Sequence, residues 1–437
     1  MFTMKNLFSS FTIFSSVQWL FFIFANTVVV PLSIGAAFDV APEVSRMMLS
    51  ASLLFTGLAC IFQGWMGHRY PLLEGHSGLL WGVMLNLGLT ASSLGMSFTE
   101  IGGGVATGLL FAGGFTMLLA VFGWTSVLPR IFTPMVMTVY LFLLTFQLMM
   151  VFFQGMLGVT EDGVMNVPVS MLSVALVIFV SVLKIKAPRV IGNFAILIGI
   201  VVGWILYVLL FPGSGQEAPA AAFAFDLFPL GAPNLEYGII AVAFFAGVLN
   251  LSNTIASVQA AADLYGETAM PGQFRNSFFF TGMFSVIASL FGLVPYTPFT
   301  STIGFLQSTR ILDRKPFFIG GIMLAAIGLV PPLTSFLVTM PMTVGNAVLF
   351  VAYLQLFGTA YSSLRGAVFN SDTIFRLAAP VLLGVCLMNT SPAVFGPLPV
   401  LLQPFLANGL IMGVLLSIVL EKVTNWGQFE DKAVEHS

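Results

Sequence analysis

The sequence predicts an all-α polytopic membrane protein with 14 transmembrane segments, arranged as 7+7 inverted repeats. Three observations predict it. Of the 437 residues, 58% are hydrophobic and only 7% are charged, so most of the chain tiles into apolar stretches of roughly 15 to 25 residues, the length that crosses a bilayer core. The 15 Lys and Arg residues fall almost wholly on one side of that tiling. Short motifs of the first half also return, in order, in the second.

The segments centre on about Phe22, Phe55, Gly82, Leu110, Leu143, Leu176, Val201, Val248, Ile287, Ile303, Ala326, Phe350, Leu382 and Met412. The stretch from about Phe11 to Ala37 is too long for a cleaved signal sequence, so it reads as the first span. With the N-terminus inside, Lys5, Arg69, Arg130, Lys184, Lys186, Arg189, Arg275, Arg310, Arg314, Lys315, Arg365, Arg376, Lys422 and Lys432 lie in cytoplasmic loops or at cytoplasmic helix ends. Only Arg46 faces out. This asymmetry sets the orientation, and an even number of crossings places both termini in the cytoplasm. The outer loops carry Asp39, Glu43, Glu100, Glu161, Asp162, Glu217, Asp226 and Glu236, which have little influence on orientation. The polar interruption from Pro212 to Glu236 reads as an outer loop joining two halves.

Composition excludes several classes. A net charge of -2 without a basic run offers no footprint for nucleic acid. Cys60 and Cys386 sit inside predicted spans, where small packing residues are expected rather than a disulfide or a metal site. A Gly-x-x-x-x-Gly-Lys-Ser/Thr loop is missing from the sequence, which argues against ATP hydrolysis and, with the rest, against an enzyme.

The halves look related. Phe55-Thr56-Gly57 in the second span recurs as Phe280-Thr281-Gly282 in the ninth, and each is followed about 19 residues later by a break rich in Gly, Ser or Thr. Asn26-Thr27 is matched by Asn253-Thr254. Pro134-Met135 is matched by Pro341-Met342, each with a Gln-Leu further on at Gln147-Leu148 and Gln355-Leu356. Seven spans per repeat insert the second copy upside down, an arrangement of transporters.

The two breaks are where chemistry is expected. The first runs from Arg69 to Gly78 and begins at the cytoplasmic edge; five extended residues at about 3.3 Å each carry Glu74 roughly 16 Å inward. The second, Pro295 to Thr302, has two prolines and four Ser or Thr hydroxyls where a continuous helix is disfavoured. Non-helical backbone at that depth must be buried in protein or line a wet cavity. Helices resuming near Ser77 and Ser301 would aim their N-terminal partial positive charge at such a cavity. The alternative is a pair of ordinary kinks or re-entrant turns.

These residues resemble the nucleobase–ascorbate transporters, also called nucleobase:cation symporter-2. Gln18 to Pro31 is similar to that family's first-helix signature. Pro71 to Gly78 resembles its Pro-x-x-x-Gly-x-Ser-Phe segment, Val294 to Gly304 with Thr309-Arg310 its tenth-span motif, and Met340-Pro341-Met342-Thr343-Val344 its Ile-Pro-x-Pro-Val. The nearest likeness is to the YbbY-type purine permease subgroup, which also carries a Glu before the Gly of the third span. The resemblance covers nearly the whole chain.

The resemblance implies short strands in segments 3 and 10 and a division into core and gate domains. Residues 1–125 and 237–335 would form the core, 126–212 and 336–421 the gate, 213–236 the outer linker loop and 422–437 a cytoplasmic tail. Carried over residue by residue, substrate contacts fall on Asn26, Gly78, Asn250, Thr254, Phe299, Thr300, Ser301 and Tyr353. The departures matter equally. Asn250 stands where the family usually has a carboxylate, Ser301 where it has Glu or Gln, and Gly78 where an aromatic residue follows Ser. Fold survives such changes better than substrate or coupling ion does.

Glu74 is then the one acidic residue placed deep in the membrane, with His76 two positions along and, if extended, on the same side. An intramembrane carboxylate is a functional candidate by default, here for proton coupling with His76. The alternative is a structural ion pair near Arg69 or a cap on backbone amides. His68 reads as interfacial and His436 as part of the tail. Asp263 and Asp372 lie near inner helix ends, where structural partners are expected.

The expected function is secondary active transport of a nucleobase, a purine such as xanthine, guanine or hypoxanthine, or uracil, by proton symport and elevator-type alternating access. The alternatives are an anion carrier of the same fold, a nucleobase facilitator without ion coupling, and a non-transporting receptor. No cofactor is expected beyond H⁺ or Na⁺ as coupling ion. Expected partners are the base, membrane lipid and a second copy of the chain; the expected location is a bacterial cytoplasmic (inner) membrane.

Overall fold

A computed structural model describes residues 10–123, 133–159, 163–188, 191–192, 194–212, 225–364, 369–371, 373–399 and 402–429. Lys5, Arg130, Arg189, Arg365, Lys432, Glu161, Asp162, Glu217, Asp372 and His436 lie outside the described residues, as do 213–224 of the linker loop and 430–437 of the tail.

The first repeat comprises α1 (Ser10–Ala25), α2 (Val29–Ala37), α3 (Pro42–Trp65), β1 (Glu74–His76), α4 (Gly78–Leu89), α5 (Phe98–Phe122), α6 (Pro134–Met156), α7 (Val167–Lys186) and α8 (Ala195–Leu210). The second comprises α9 (Tyr237–Tyr265), α10 (Pro271–Leu290), β2 (Tyr296–Pro298), α11 (Ser301–Thr309), α12 (Arg314–Gly328), α13 (Pro331–Val338), α14 (Met342–Ser362), α15 (Phe375–Met388) and α16 (Gly409–Val423). Every segment centre read from the sequence falls within one of these helices. Local chemistry sets their ends. Proline at the first or second position opens α3, α6, α7 and α10. Ser97 and Glu100 form a capping box on α5, and Gly123 and Gly266 end α5 and α9 with left-handed backbone.

Among the described residues, 7 helices are long and apolar enough to cross a membrane, or 8 if the α12–α13 pair, bent by 84°, is one span. The other segments are shorter, two of them because half of each is strand. The first span is itself broken between α1 and α2. There the Asn26 side chain donates to the Phe22 carbonyl at 2.8 Å and Thr27 donates to the Ile23 carbonyl at 2.7 Å.

Inversion is visible in who packs on whom. α3 lies along α12 and α10 along α5; α1 packs on α12 and α9 on α5; α6 crosses α14. Exchanging the halves maps each pair onto its counterpart, and α7 and α8 sit on α14 as α15 and α16 sit on α6. The recurrent Phe-Thr-Gly motif has its cause here. Gly57 presses on the backbone of Gly321 and Ala325, and Gly282 on that of Gly113 and Met117, with no room for a Cβ at either. Small residues at such crossings let helices pack tightly in lipid, where van der Waals contact replaces the hydrophobic drive.

The strands join the repeats. β1 and β2 pair antiparallel, with Glu74 opposite Pro298, Gly75 opposite Thr297 and His76 opposite Tyr296. The ladder continues at both ends, Phe299 N–H donating to the Leu73 carbonyl at 2.9 Å and Ser77 N–H to the Pro295 carbonyl at 2.8 Å. Backbone that is not helical is thus satisfied within protein.

Candidate functional site

Beside the strand pair lies a cavity of about 540 Å³, a volume suited to a small ligand. One side is formed by α1 (Phe22, Asn26), Gly78 at the start of α4, α9 (Asn253, Ser257) and the break from Thr297 to Ser301 with α11 behind it. The other comes from α6 (Tyr140, Leu144), Lys184 on α7, α8 and α14 (Tyr353, Gln355). Its surface mixes aromatic faces with amides and hydroxyls. Lys184, exposed in the last turn of α7, is the one charged side chain among the described lining residues.

Of the residues anticipated for substrate contact, Asn26, Gly78, Phe299, Thr300, Ser301 and Tyr353 line this cavity. Asn250 and Thr254 do not. Both are buried within the packing of α9, and the Asn250 amide donates to the Tyr296 carbonyl on β2 at 3.1 Å. The Thr254 hydroxyl has no partner among the described residues. The neighbouring Asn253 faces the cavity instead, its amide directed to Asn250 Oδ1 at 3.3 Å and to the Tyr140 hydroxyl at 3.4 Å. Ser257, one turn on, donates to the Pro298 carbonyl at 2.7 Å. Ser257, Tyr140 and Lys184 escape the family motif comparison as substrate contacts, and so does Asn253, although the repeat match of Asn253-Thr254 with the cavity-lining Asn26 was a signal for it.

Phe299 turns its ring over Gly75, where a Cβ would stand 2.8 Å from the ring. At Gly78 a Cβ would meet Tyr353 and Leu144 at 3.6 and 3.7 Å, ordinary contact distances. The aromatic surface near this point is supplied across the cavity by Tyr353, whose ring packs edge-on against Trp81.

Glu74 and His76 lie away from the cavity, and they do not share a hydrogen bond. His76 is fully buried and engaged at both nitrogens, Nδ1 2.6 Å from the Val294 carbonyl and Nε2 2.6 Å from the Ser52 hydroxyl. The carbonyl can only accept, so Nδ1 carries the proton and Ser52 donates to Nε2. Glu74 is paired instead with His68, Oε1 to Nε2 at 2.9 Å, and both are buried. His68 Nδ1 accepts from the Tyr70 amide at 3.0 Å, which leaves the proton on Nε2, facing the carboxylate. Glu74 Oε2 has no partner among the described residues. The interfacial reading of His68 is therefore corrected. Arg69 takes a left-handed φ of 67°, which folds His68 back over the strand, and Gln273, Asn276 and Arg314 fasten the turn by donating to the His68, Met66 and Arg69 carbonyls.

A model of the permease family Xan_ur_permease matches residues 10–392. The chain belongs to this nucleobase–ascorbate transporter family. Among similar proteins, YwdJ of Bacillus subtilis (strain 168), named as a candidate purine permease, is 27% identical over 95% of this chain and 96% of its own. The uric acid permease PucJ of the same organism is 25% identical over 95% and 92%. Among solved structures, the transmembrane domain of a cyanobacterial bicarbonate transporter, BicA, superposes with a TM-score of 0.62 at 16% identity, covering 96% of this chain and 98% of that one. That likeness bears on the fold alone, a 7+7 inverted repeat. As a member of the nucleobase–ascorbate transporter family, the chain is an integral membrane permease and not an enzyme.

Proposed function

We propose that this permease carries a nucleobase, with the cavity beside the strand pair as its substrate site. The observation that carries the proposal is the cavity itself: both broken segments reach it, and its surface combines ring faces with neutral donors and acceptors, as a planar heterocycle requires. The names of the relatives, which include a uric acid permease and a xanthine permease, point the same way and favour a purine. Asn26, Asn253, Thr300, Ser301 and the Tyr140 hydroxyl are the hydrogen-bonding set, Phe299 and Tyr353 the stacking surfaces, and Asn250 a positioning residue behind Asn253.

The two sides of the cavity come from 1–125 with 237–335 and from 126–212 with 336–421, which supports the core and gate division. Movement of one against the other is the elevator-type step. The excess of Lys and Arg supports a cytoplasmic location for both termini and for the Lys184 end of the cavity, and the bacterial relatives support a cytoplasmic (inner) membrane. For coupling, the buried Glu74–His68 pair is the proton site, because His76 has both nitrogens committed.

Uptake of a panel of labelled purines and uracil into proteoliposomes, with pH and sodium gradients imposed separately, tests the proposal. Saturable uptake of at least one purine, faster under an inward proton gradient, is the expected result. No saturable uptake of any base, or competition by sulfate or bicarbonate and by no base, rejects it.

A further inference from the structure

Resting on the reading of the cavity as a base site, we infer that the preferred substrate is an anionic base, an oxopurine that has lost a ring proton, and that Lys184 selects it. The cavity contains one charged side chain among its described lining residues, and it is a cation. No carboxylate opposes it. The α9 position where the family resemblance led one to expect an acid is Asn250, which is neutral and turned to Tyr296, and Glu74 on β1 is held by His68 away from the cavity. Gly78 and Ser301, which open α4 and α11, both line the cavity, so two helix N-termini add partial positive charge of the same sign.

Helix ends of both signs reach the cavity, since Ala25 closes α1 and Lys184 stands in the last turn of α7, so it is the one side-chain charge among the described lining residues that favours a negative guest. A neutral base gains from Lys184 at most a hydrogen bond to a carbonyl or ring nitrogen, without the attraction between opposite charges. An anion entering the same space loses hydration and needs a counter-charge to replace it. The positive-inside rule already accounts for a Lys near this end of α7, and it accounts equally for Lys186. The difference is that Lys184 lines the cavity and Lys186 does not.

Urate, an anion at neutral pH, and hypoxanthine, neutral at the same pH, separate the cases in proteoliposome uptake. Wild type is expected to favour urate. The ratio of kcat/KM for urate to that for hypoxanthine should fall about tenfold in Lys184→Gln, the loss of one charge-assisted contact, and be kept in Lys184→Arg and in Lys186→Gln. In wild type alone, KM for urate should rise with ionic strength more steeply than KM for hypoxanthine, since an exposed ammonium is screened by salt. An unchanged ratio in Lys184→Gln, a urate KM indifferent to salt, or hypoxanthine uptake without a preference for urate overturns the inference while leaving the base site intact. Uptake of neither base by wild type rejects the base site itself and the inference with it.

Discussion

At the scale of residues, the proposed substrate contacts turn on one step around a helix. Asn253 and Ser257 line the cavity, whereas Asn250 and Thr254 do not; Thr254 is one residue from Asn253, a rotation of about 100°. Motif comparison thus reached the turns of α9 beside the cavity but not the face that lines it, because a motif carries position along the chain and not the rotation of the helix against its neighbours. Asn253→Ala should raise KM for the transported base by an amount equivalent to about 1–3 kcal/mol, leaving polar groups of the ligand unpaired. Tyr140→Phe should cost less, since it removes one acceptor at 3.4 Å from Asn253. Uptake kinetics at matched protein amounts check both, and an unaltered KM in Asn253→Ala returns the contact to another residue. His68 was illegible for a different reason. A left-handed turn at Arg69 carries no mark in the sequence, where Gly or Asn would have announced it.

At the scale of elements, the glycines of the helix crossings make a sharp comparison. Gly113 and Gly114 are adjacent on α5, yet a Cβ on Gly113 would stand 2.8 Å from the Gly282 carbonyl oxygen, and one on Gly114 meets nothing within 4 Å. Gly113→Ala should destabilise by roughly 1–3 kcal/mol through overpacking against rigid backbone. Gly114→Ala should be neutral or stabilising by about 0.5–1 kcal/mol, because Gly inside a helix loses more backbone entropy than Ala. Thermal unfolding in detergent reads the difference, and equal effects of the two changes would contradict the crossing geometry. Much at this scale was legible. Apolar length located the spans, and the repeated Phe-Thr-Gly marked the two halves as related; that its glycines sit at helix crossings came only with the structure. The breaks announced themselves through proline and hydroxyl residues. Their pairing did not, because the register of Glu74 with Pro298 joins residues more than two hundred positions apart and three residues per strand carry no alternation to read.

At the scale of the whole molecule, the strand pair is where the two repeats meet and where a proton could be felt by the substrate. Glu74 belongs to the first repeat; Pro298, opposite it in the register, belongs to the second and lines the cavity. The next bond of the ladder holds Phe299 to Leu73, and the proposed coupling would use this backbone route from the carboxylate to Phe299 without any contact between Glu74 and the base. Glu74 has one oxygen on His68 and the other without a partner among the described residues, and an ionisable group at such a depth is a functional candidate by default. If the permease loads a proton there on the acidic side and releases it on the other, an inward proton gradient accelerates uptake. Glu74→Gln keeps an oxygen to accept from His68 Nε2 and cannot titrate. The variant should therefore fold and bind base while losing the acceleration, so that uptake with and without the gradient becomes equal. Proteoliposomes containing wild type or variant at matched amount and orientation provide the measurement. Proton-driven accumulation that survives in Glu74→Gln would assign the Glu74–His68 pair to holding β1 in place and move the coupling group elsewhere.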